Sequence, residues 1–385
     1  MGHFTALVAG IFLILCTLPG TVELLLLTLG ALLSKPAPKA PAKPLKTAVV
    51  VPAHNEEISL LKTLESLKAC EGVFEIIVVA DNCTDQTAAI AKKAVARVLI
   101  RNDPTRLGKH HALEFAFDIL LKEGFQRFII VDADTLVHPD LIQGTSEADC
   151  VQAAYLLQIE NPTLSNRLMA IAFTAFNKLR PLGRQYWGFS SGIFGNGFSL
   201  TADTLKTVPF SVDSIVEDAA YHLKLVEDNK KVLFNPDTWV QAPPPHNKKG
   251  LTIQRARWEG GRLRLLFKEG PTLIKKLLQG QGRFLEPLLD LSTLPLGYHA
   301  LLLLLLLFLP ISWIQIYAAF GLGILLFHTL TAIHLRGQGW KDYAALLSAP
   351  GYLIWKLLSL PKIWRGAQKD QQWIRTQRKG NDDLP

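Results

Sequence analysis

Between about residues 47 and 240 the chain alternates short β-branched runs with apolar residues at helical spacing. Thr47 to Val51 reads as a strand ending at Pro52, and Ile58, Leu61, Leu64 and Leu67 mark a helix over 56–69. Phe74 to Ala80 is a second strand ending at Asp81, and Thr84 to Ala94 a helix capped by the polar group Asp81-Asn82-Cys83-Thr84. Val98-Leu99-Ile100 follows as a strand, Lys109 to Lys122 as a helix, and Phe128-Ile129-Ile130-Val131 as a fourth strand. This βαβαβαβ order predicts an α/β, doubly wound and mostly parallel sheet. Its ligand loops then lie at 52–57, 81–85 and 132–135, at the carboxyl ends of the strands.

The two ends of the chain follow another pattern. Residues 4–33 are nearly all apolar, with Glu23 as the one charge, and exceed the roughly 20 residues a bilayer span needs. They lack a basic n-region and a small-residue cleavage pattern, so an N-terminal transmembrane anchor over 1–34 is expected, with a kink at Pro19-Gly20. A linker at 35–46 sets Lys35, Lys39, Lys43 and Lys46 among four prolines, which predicts a cytosolic side for it. A sheet domain is expected over 47–265 and an interfacial, amphipathic connection over 266–287. Two transmembrane helices are expected within 288–333, near 288–309 and 311–333. Residues 340–364 are apolar but broken by Pro350, Gly351 and Pro361, which suits an interfacial or re-entrant segment, and a basic tail occupies 365–385.

Composition agrees with a soluble part joined to membrane segments. The chain is 49% hydrophobic yet has 41 Lys and Arg against 33 Asp and Glu, a formal net charge of +8 that the membrane flanks explain. No basic stripe interleaved with aromatics marks the central region, so nucleic acid is not an expected partner. The four cysteines are scattered without a C-x-x-C, as expected for reduced thiols in a cytosolic domain.

Candidate chemistry centres on Asp132-Ala133-Asp134. Two carboxylates one residue apart at a strand end form a hard-oxygen site suited to Mg²⁺ or Mn²⁺ bridging a diphosphate, although such pairs are also common in turns. Asp81 can accept from an imide N–H or a ribose hydroxyl, or serve as a helix cap. Arg106 and Lys109 sit where a helix begins and suit a diphosphate, or form a solvated basic turn. Glu217 and Asp218 precede an apolar helical stretch, as a general base and its neighbour or as a helix-start acid pair. Gln254, Arg257 and Trp258 share one helix face, offering a planar fork and an aromatic surface, or the face of an amphipathic interface helix. Gly195-Asn196-Gly197 permits close backbone approach to an acceptor, or is a simple turn. Neither G-x-G-x-x-G nor a Walker A pattern is present.

Seven motifs occur in order: VVVPAHNEE (49–57), ADNCTD (80–85), RLGKHHAL (106–113), VDADT (131–135), FGNGFSL (194–200), VED (216–218) and QRARW (254–258). Together they resemble the inverting family-2 glycosyltransferases of GT-A fold, in the membrane-bound branch of cellulose, chitin and hyaluronan synthases and ceramide glucosyltransferases. The resemblance covers about 47–265. It implies that Pro52, Ala53, Glu56 and Asp81 line a uridine pocket, that Lys109 lies near the diphosphate, and that Asp132 contacts the donor. It further implies that Asp134 holds the metal, that Asp218 is the catalytic base, and that Gln254, Arg257 and Trp258 close over the diphosphate and the acceptor end.

The implied activity is metal-dependent, inverting transfer of a hexosyl or N-acetylhexosaminyl group from a UDP-sugar to a polysaccharide, at the inner or plasma membrane with a cytosolic catalytic domain. Two alternatives stand beside it: single transfer to a lipid, and a non-catalytic membrane module that binds nucleotide sugar. Three expected spans and one broken segment fall short of the helices that line a translocation channel in processive synthases, leaving room for a homo-oligomer or an export partner.

Overall fold

The computed structural model describes residues 2–35, 45–160, 162–211, 214, 216–244 and 248–368, and of 2, 248–253, 256 and 359–368 the backbone only. Apart from their ends, the expected Pro-rich linker and basic tail lie outside the described residues. In chain order the elements are α1 (Gly2–Leu33), β1 (Thr47–Ala53), α2 (Leu60–Lys68), β2 (Phe74–Asp81), α3 (Thr87–Lys93), β3 (Arg97–Arg101), α4 (Lys109–Lys122), β4 (Arg127–Ile130), β5 (Leu136–Val137), α5 (Leu141–Gly144) and β6 (Cys150–Leu157). Then come α6 (Leu164–Thr174), a π-helical turn (Ala175–Leu179), α7 (Arg180–Tyr186), β7 (Phe198–Thr201), α8 (Ala202–Thr207), α9 (Glu217–Glu227), β8 (Leu233–Ala242) and α10 (Lys248–Leu278). A 3₁₀ turn at Gly282–Phe284 leads to α11 (Leu285–Ser292), α12 (Leu296–Leu307), α13 (Ser312–Arg336) and α14 (Trp340–Ala345), and a second at Leu346–Ser348 to α15 (Ala349–Gln368).

These elements divide into two compact units. The sheet unit is drawn from 35–158 and 190–251, and the helical unit from 1–34, 159–189 and 252–369. The sheet domain, read from sequence as one piece over 47–265, is therefore interrupted at 159–189 and stops at 251.

In the sheet unit the strand order is β3-β2-β1-β4-β7-β6-β8-β5. The four strands read from sequence are parallel, while β7 runs antiparallel to both β4 and β6. Alternate residues of β1 enter separate cores because successive side chains of a strand point to opposite faces. Ala48 and Val50 join Ala112, Ala116 and Phe117 of α4, and Val49 and Val51 join Leu60, Leu64 and Leu67 of α2. Burial on both faces is why β1 is a continuous apolar run.

Within the helical unit, Thr17 Oγ1 meets Tyr317 Oη at 2.9 Å and Thr28 Oγ1 meets His328 Nδ1 at 2.7 Å, so α1 and α13 run parallel. Gly20 faces His299 and Gly10 faces Leu309, so α12 runs the opposite way. Pro19 lies inside α1, which continues through it as one helix. The expected span at 288–309 is two helices, α11 and α12, bent by 77°. Pro295 at the break lacks the N–H a continuous helix needs. The twelve residues of α12 extend about 18 Å, short of a hydrocarbon core of about 30 Å. His3–Leu33 and Ser312–Arg336 are long and apolar enough to cross a membrane, and the bent pair makes a third span if counted as one.

Glu23, charged in the middle of an apolar helix, is 2% exposed. It accepts from Arg180 and, at 3.5 Å, from Arg184 of α7. Asp290 and Glu286 of α11 share Arg184, and Arg262 of α10 reaches Asp290 at 2.8 Å. The three carboxylates lie close enough to hold a cation, and the guanidiniums fill that role. This network gives the physical reason why 159–189 leaves the sheet: its arginines neutralise a carboxylate buried in α1.

Candidate active site

The first two ligand loops are laced together. The Asn55 side chain accepts from Thr84 N–H at 2.8 Å, Glu57 N–H donates to Asp85 at 3.1 Å, and Gln86 N–H donates to Glu57 at 2.9 Å. Ala53 is buried and its carbonyl accepts from the Cys83 thiol at 3.4 Å, while Pro52 is half-buried beside it. Glu56 accepts from Ser59 Oγ at 2.6 Å at the start of α2. Asp81 does not cap α3, whose first turn is held instead by Asp85 accepting from Thr87 N–H at 3.0 Å. It faces Arg101, its register partner on β3, and Arg101 donates to its Oδ1 at 2.6 Å. Both side chains are 7% exposed. Arg101 could not be found from motif spacing, because only the β2–β3 pairing brings it to Asp81.

The D-x-D loop leaves β4 with Ala133 in the core and both carboxylates half-exposed. Thr63 of α2 holds it from below, donating to the Ala133 carbonyl at 2.9 Å and accepting from Thr135 N–H at 3.0 Å. Asn196 holds it from the side, accepting from Asp132 N–H at 3.1 Å and donating to Thr135 Oγ1 at 2.9 Å. Asn196 is fully buried and clamped in turn by Gln152, a lone polar residue in the apolar strand β6. Gln152 also accepts from Phe194 N–H at 3.0 Å. Gly195-Asn196-Gly197 is therefore a wedge built against the D-x-D rather than a simple turn.

Lys109, the first residue of α4, donates to Asp132 and to the Gly195 carbonyl. Gly195 in turn stands beside Asp218: a Cβ added there would lie 3.5 Å from Asp218 Oδ2. Glu217 and Asp218 are the first residues of α9, both half-buried, and Asp218 Oδ1 accepts from the Ala219 N–H at 2.8 Å. A basic side chain, the carboxylate pair and the base candidate thus share one end of the sheet. Two half-exposed carboxylates on a pinned loop, with oxygen donors only, fit Mg²⁺ or Mn²⁺. Arg106, by contrast, is 56% exposed and pairs with Glu114 at 2.8 Å.

Gln254, Arg257 and Trp258 belong to the helical unit, on α10. Trp258 is exposed, while Gln254 and Arg257 are half-buried. Another side of α10 is anchored on α15: Arg255 donates to Tyr352 Oη at 2.9 Å and stacks on Tyr352 and Trp355, and Glu259 accepts from the buried Lys356. The segment expected to be broken at Pro350, Gly351 and Pro361 instead runs through all three as the single helix α15, and it supplies the footing of the QRARW helix, a role its composition does not announce.

Four parallel strands ending in an acidic pair, joined by an antiparallel strand that follows the Gly195-Asn196-Gly197 wedge, define the GT-A fold of glycosyltransferases. Residues 48–172 match the family described as Glycosyl transferase family 2, and residues 128–332, more than half of the chain, match Glycosyl transferase family group 2. The chain belongs to glycosyltransferase family 2. It is 25% identical over 242 residues to the probable glycosyltransferase YdaM of Bacillus subtilis (strain 168), covering 58% of this chain and 56% of that relative. The chain thus spans little more than half of the curated relative it matches. The fold is similar to that of the mannosyltransferase PcManGT from Pyrobaculum calidifontis, solved in complex with GDP-Man and Mn²⁺. That match has a TM-score of 0.56 at 16% identity, covering 94% of this chain and 100% of the other.

Proposed function

We propose that the protein is a membrane glycosyltransferase that moves a sugar from a nucleotide-sugar donor to a polysaccharide acceptor, with inversion and with a divalent metal. The observation that carries this reading is the Asp132–Lys109–Gly195–Asp218 arrangement, which sets diphosphate-binding groups beside a positioned carboxylate. Inversion needs a single displacement, in which an acceptor hydroxyl attacks the anomeric carbon opposite the departing nucleoside diphosphate. Asp218 takes the hydroxyl proton, and such general-base help contributes about 10² to 10⁴-fold. Lys109 meets the charge that develops on the leaving diphosphate. Asp134, with Asp132 at the donor, would hold Mg²⁺ or Mn²⁺, which supplies further charge neutralisation when bound. The Mn²⁺ in the GDP-Man complex of PcManGT supports a divalent ion of this kind.

Asp81 reads the nucleobase with Arg101 beside it, and Pro52, Ala53 and Glu56 form the rest of that wall. The pairing of an acceptor with a donor serves uracil, whose imide N–H lies between two carbonyls, which keeps UDP-sugar as the first donor to test. Gln254, Arg257 and Trp258 are assigned on their motif to the donor diphosphate and acceptor end. The length and apolar composition of α1 and α13 support membrane residence. The basic residues Lys35 and Arg336, at the carboxyl ends of these parallel helices, favour a cytosolic side for both. A lipid acceptor is the second reading, favoured by the small number of spans.

The test uses the detergent-purified full chain with Mn²⁺ or Mg²⁺ and labelled UDP- and GDP-sugars, with products split into polymeric and lipid-extractable fractions. Metal-dependent label in glycosidase-sensitive polymer supports the polysaccharide reading. Label confined to the organic phase replaces it with the lipid reading. Donor binding without turnover under all conditions, acceptors and membrane extract included, would favour the non-catalytic module.

A further inference from the structure

Lys109 has a second consequence for this site, one that rests on the nucleotide-sugar reading above. Gly108, at φ 119°, sends the chain into α4 so that Lys109 is its first residue, and the ammonium bonds Asp132 and the Gly195 carbonyl together. Lys109 and Asp132 are only 23% and 30% exposed, so the pair is partly sheltered from water. An ammonium offers three donors and a single compact charge. A divalent cation binds carboxylate oxygens at roughly 2.0–2.2 Å and repels an ammonium on the same group. The two cations therefore compete at the D-x-D: an ammonium held on Asp132 disfavours a divalent ion on Asp134 two residues away, and takes from that ion any help from Asp132. A diphosphate offers the ammonium other oxygens, and taking them releases both Asp132 and the Gly195 carbonyl.

We propose that Lys109 is a built-in cation that holds the D-x-D closed against metal in the donor-free protein, and that the donor diphosphate opens it by drawing the ammonium away. Release also frees the Gly195 carbonyl, on a glycine at φ 75° whose neighbour is Asp218, so donor arrival loosens the loop beside the base before the acceptor is used. Metal and nucleoside diphosphate then bind with positive coupling, each raising the affinity of the other by the same factor.

The experiment titrates Mn²⁺ into the full chain in detergent, reading free Mn²⁺ by electron paramagnetic resonance, alone and with saturating UDP or GDP. Wild type is expected to bind Mn²⁺ weakly alone and about tenfold or more tightly with the diphosphate. Lys109→Met is expected to bind Mn²⁺ about tenfold more tightly than wild type without nucleotide, and to lose most of the coupling. That gain must run through Asp132, so Asp132→Asn and the double variant are measured alongside, and the gain is expected to vanish in the Asn background. Unchanged or weaker Mn²⁺ binding by Lys109→Met would overturn the proposal, and so would a gain that persists with Asp132→Asn, which is a mere change of net charge. If wild type and variants alike bind neither Mn²⁺ nor diphosphate, the functional reading falls together with this inference, a pattern distinct from either of those.

Discussion

Gly195 and Gly197 hold similar backbone angles, φ 75° and 69°, yet a methyl group added to each meets different neighbours. At Gly197 it would lie 2.6 Å from Cγ2 of the buried Val240, so the core must shift. At Gly195 it makes an ordinary 3.5 Å contact with Asp218. Both substitutions carry the left-handed penalty of about 1–2 kcal/mol, and Gly197→Ala adds about 1–3 kcal/mol of overpacking. Gly197→Ala is therefore expected to lower the thermal midpoint more than Gly195→Ala, while Gly195→Ala stays folded and loses turnover; the reverse ranking of midpoints would count against this packing. The buried pair Asp81–Arg101 makes a sharper prediction. Removing either partner leaves the other charge buried, at about 3–5 kcal/mol. Asp81→Ala and Arg101→Ala should each lower the thermal midpoint and weaken nucleotide binding, with the double variant no worse than the single ones; additive losses would separate the two residues. Burial raises the thiols of Cys70 and Cys150 to a pKa of about 11. At pH 8 both should then resist a thiol reagent in the native protein and react once it is unfolded.

At the scale of elements, the sequence was most legible where one physical cause dominates. The centres of strands β1, β2 and β4 are apolar runs buried on both faces, and apolar residues at helical spacing mark the helices between them. The position of the D-x-D loop was legible too, since the apolar run Phe128 to Val131 stops at Asp132. What pattern cannot carry is partnership. Arg180 and Arg184 lie in no motif, and only the assembled helices show them turned to Glu23. The antiparallel strand β7 was likewise hidden, because FGNGFSL reads as a loop until Phe198 to Thr201 pair with β4. The contact of α7 with α1 gives a test at this scale. A Cβ on Gly183 would lie 2.2 Å from the Leu27 carbonyl oxygen, and Gly30 abuts the Gly183 backbone from the other side. Small residues permit this approach as they do between membrane helices. Gly183→Leu should prevent α7 from docking and cut the yield of folded, detergent-extracted protein, whereas the same change at Gly323, which faces open space, should leave it intact.

For the whole molecule, the parallel course of α1 and α13 and the reversed course of α12 set a topology that can be checked residue by residue. The α12–α13 junction lies at the end of the bundle where α1 begins, since Gly10 faces Leu309 and Ile314. The proposed orientation, with the basic ends of α1 and α13 on the cytosolic side, predicts that a cysteine introduced at Pro310 is labelled from outside intact cells, and one at Gly337 only after permeabilisation. The proposed chemistry rests on one division of labour: donor groups that bind, and a carboxylate, Asp218, that takes a proton. Its most direct test measures nucleotide-sugar affinity and single-turnover transfer side by side in wild type and Asp218→Asn. Asp218→Asn is expected to keep an affinity within about twofold of wild type and to lose transfer by at least about 10²-fold. Transfer near the wild-type rate, or a loss of affinity as large as the loss of transfer, would rule out Asp218 as the base.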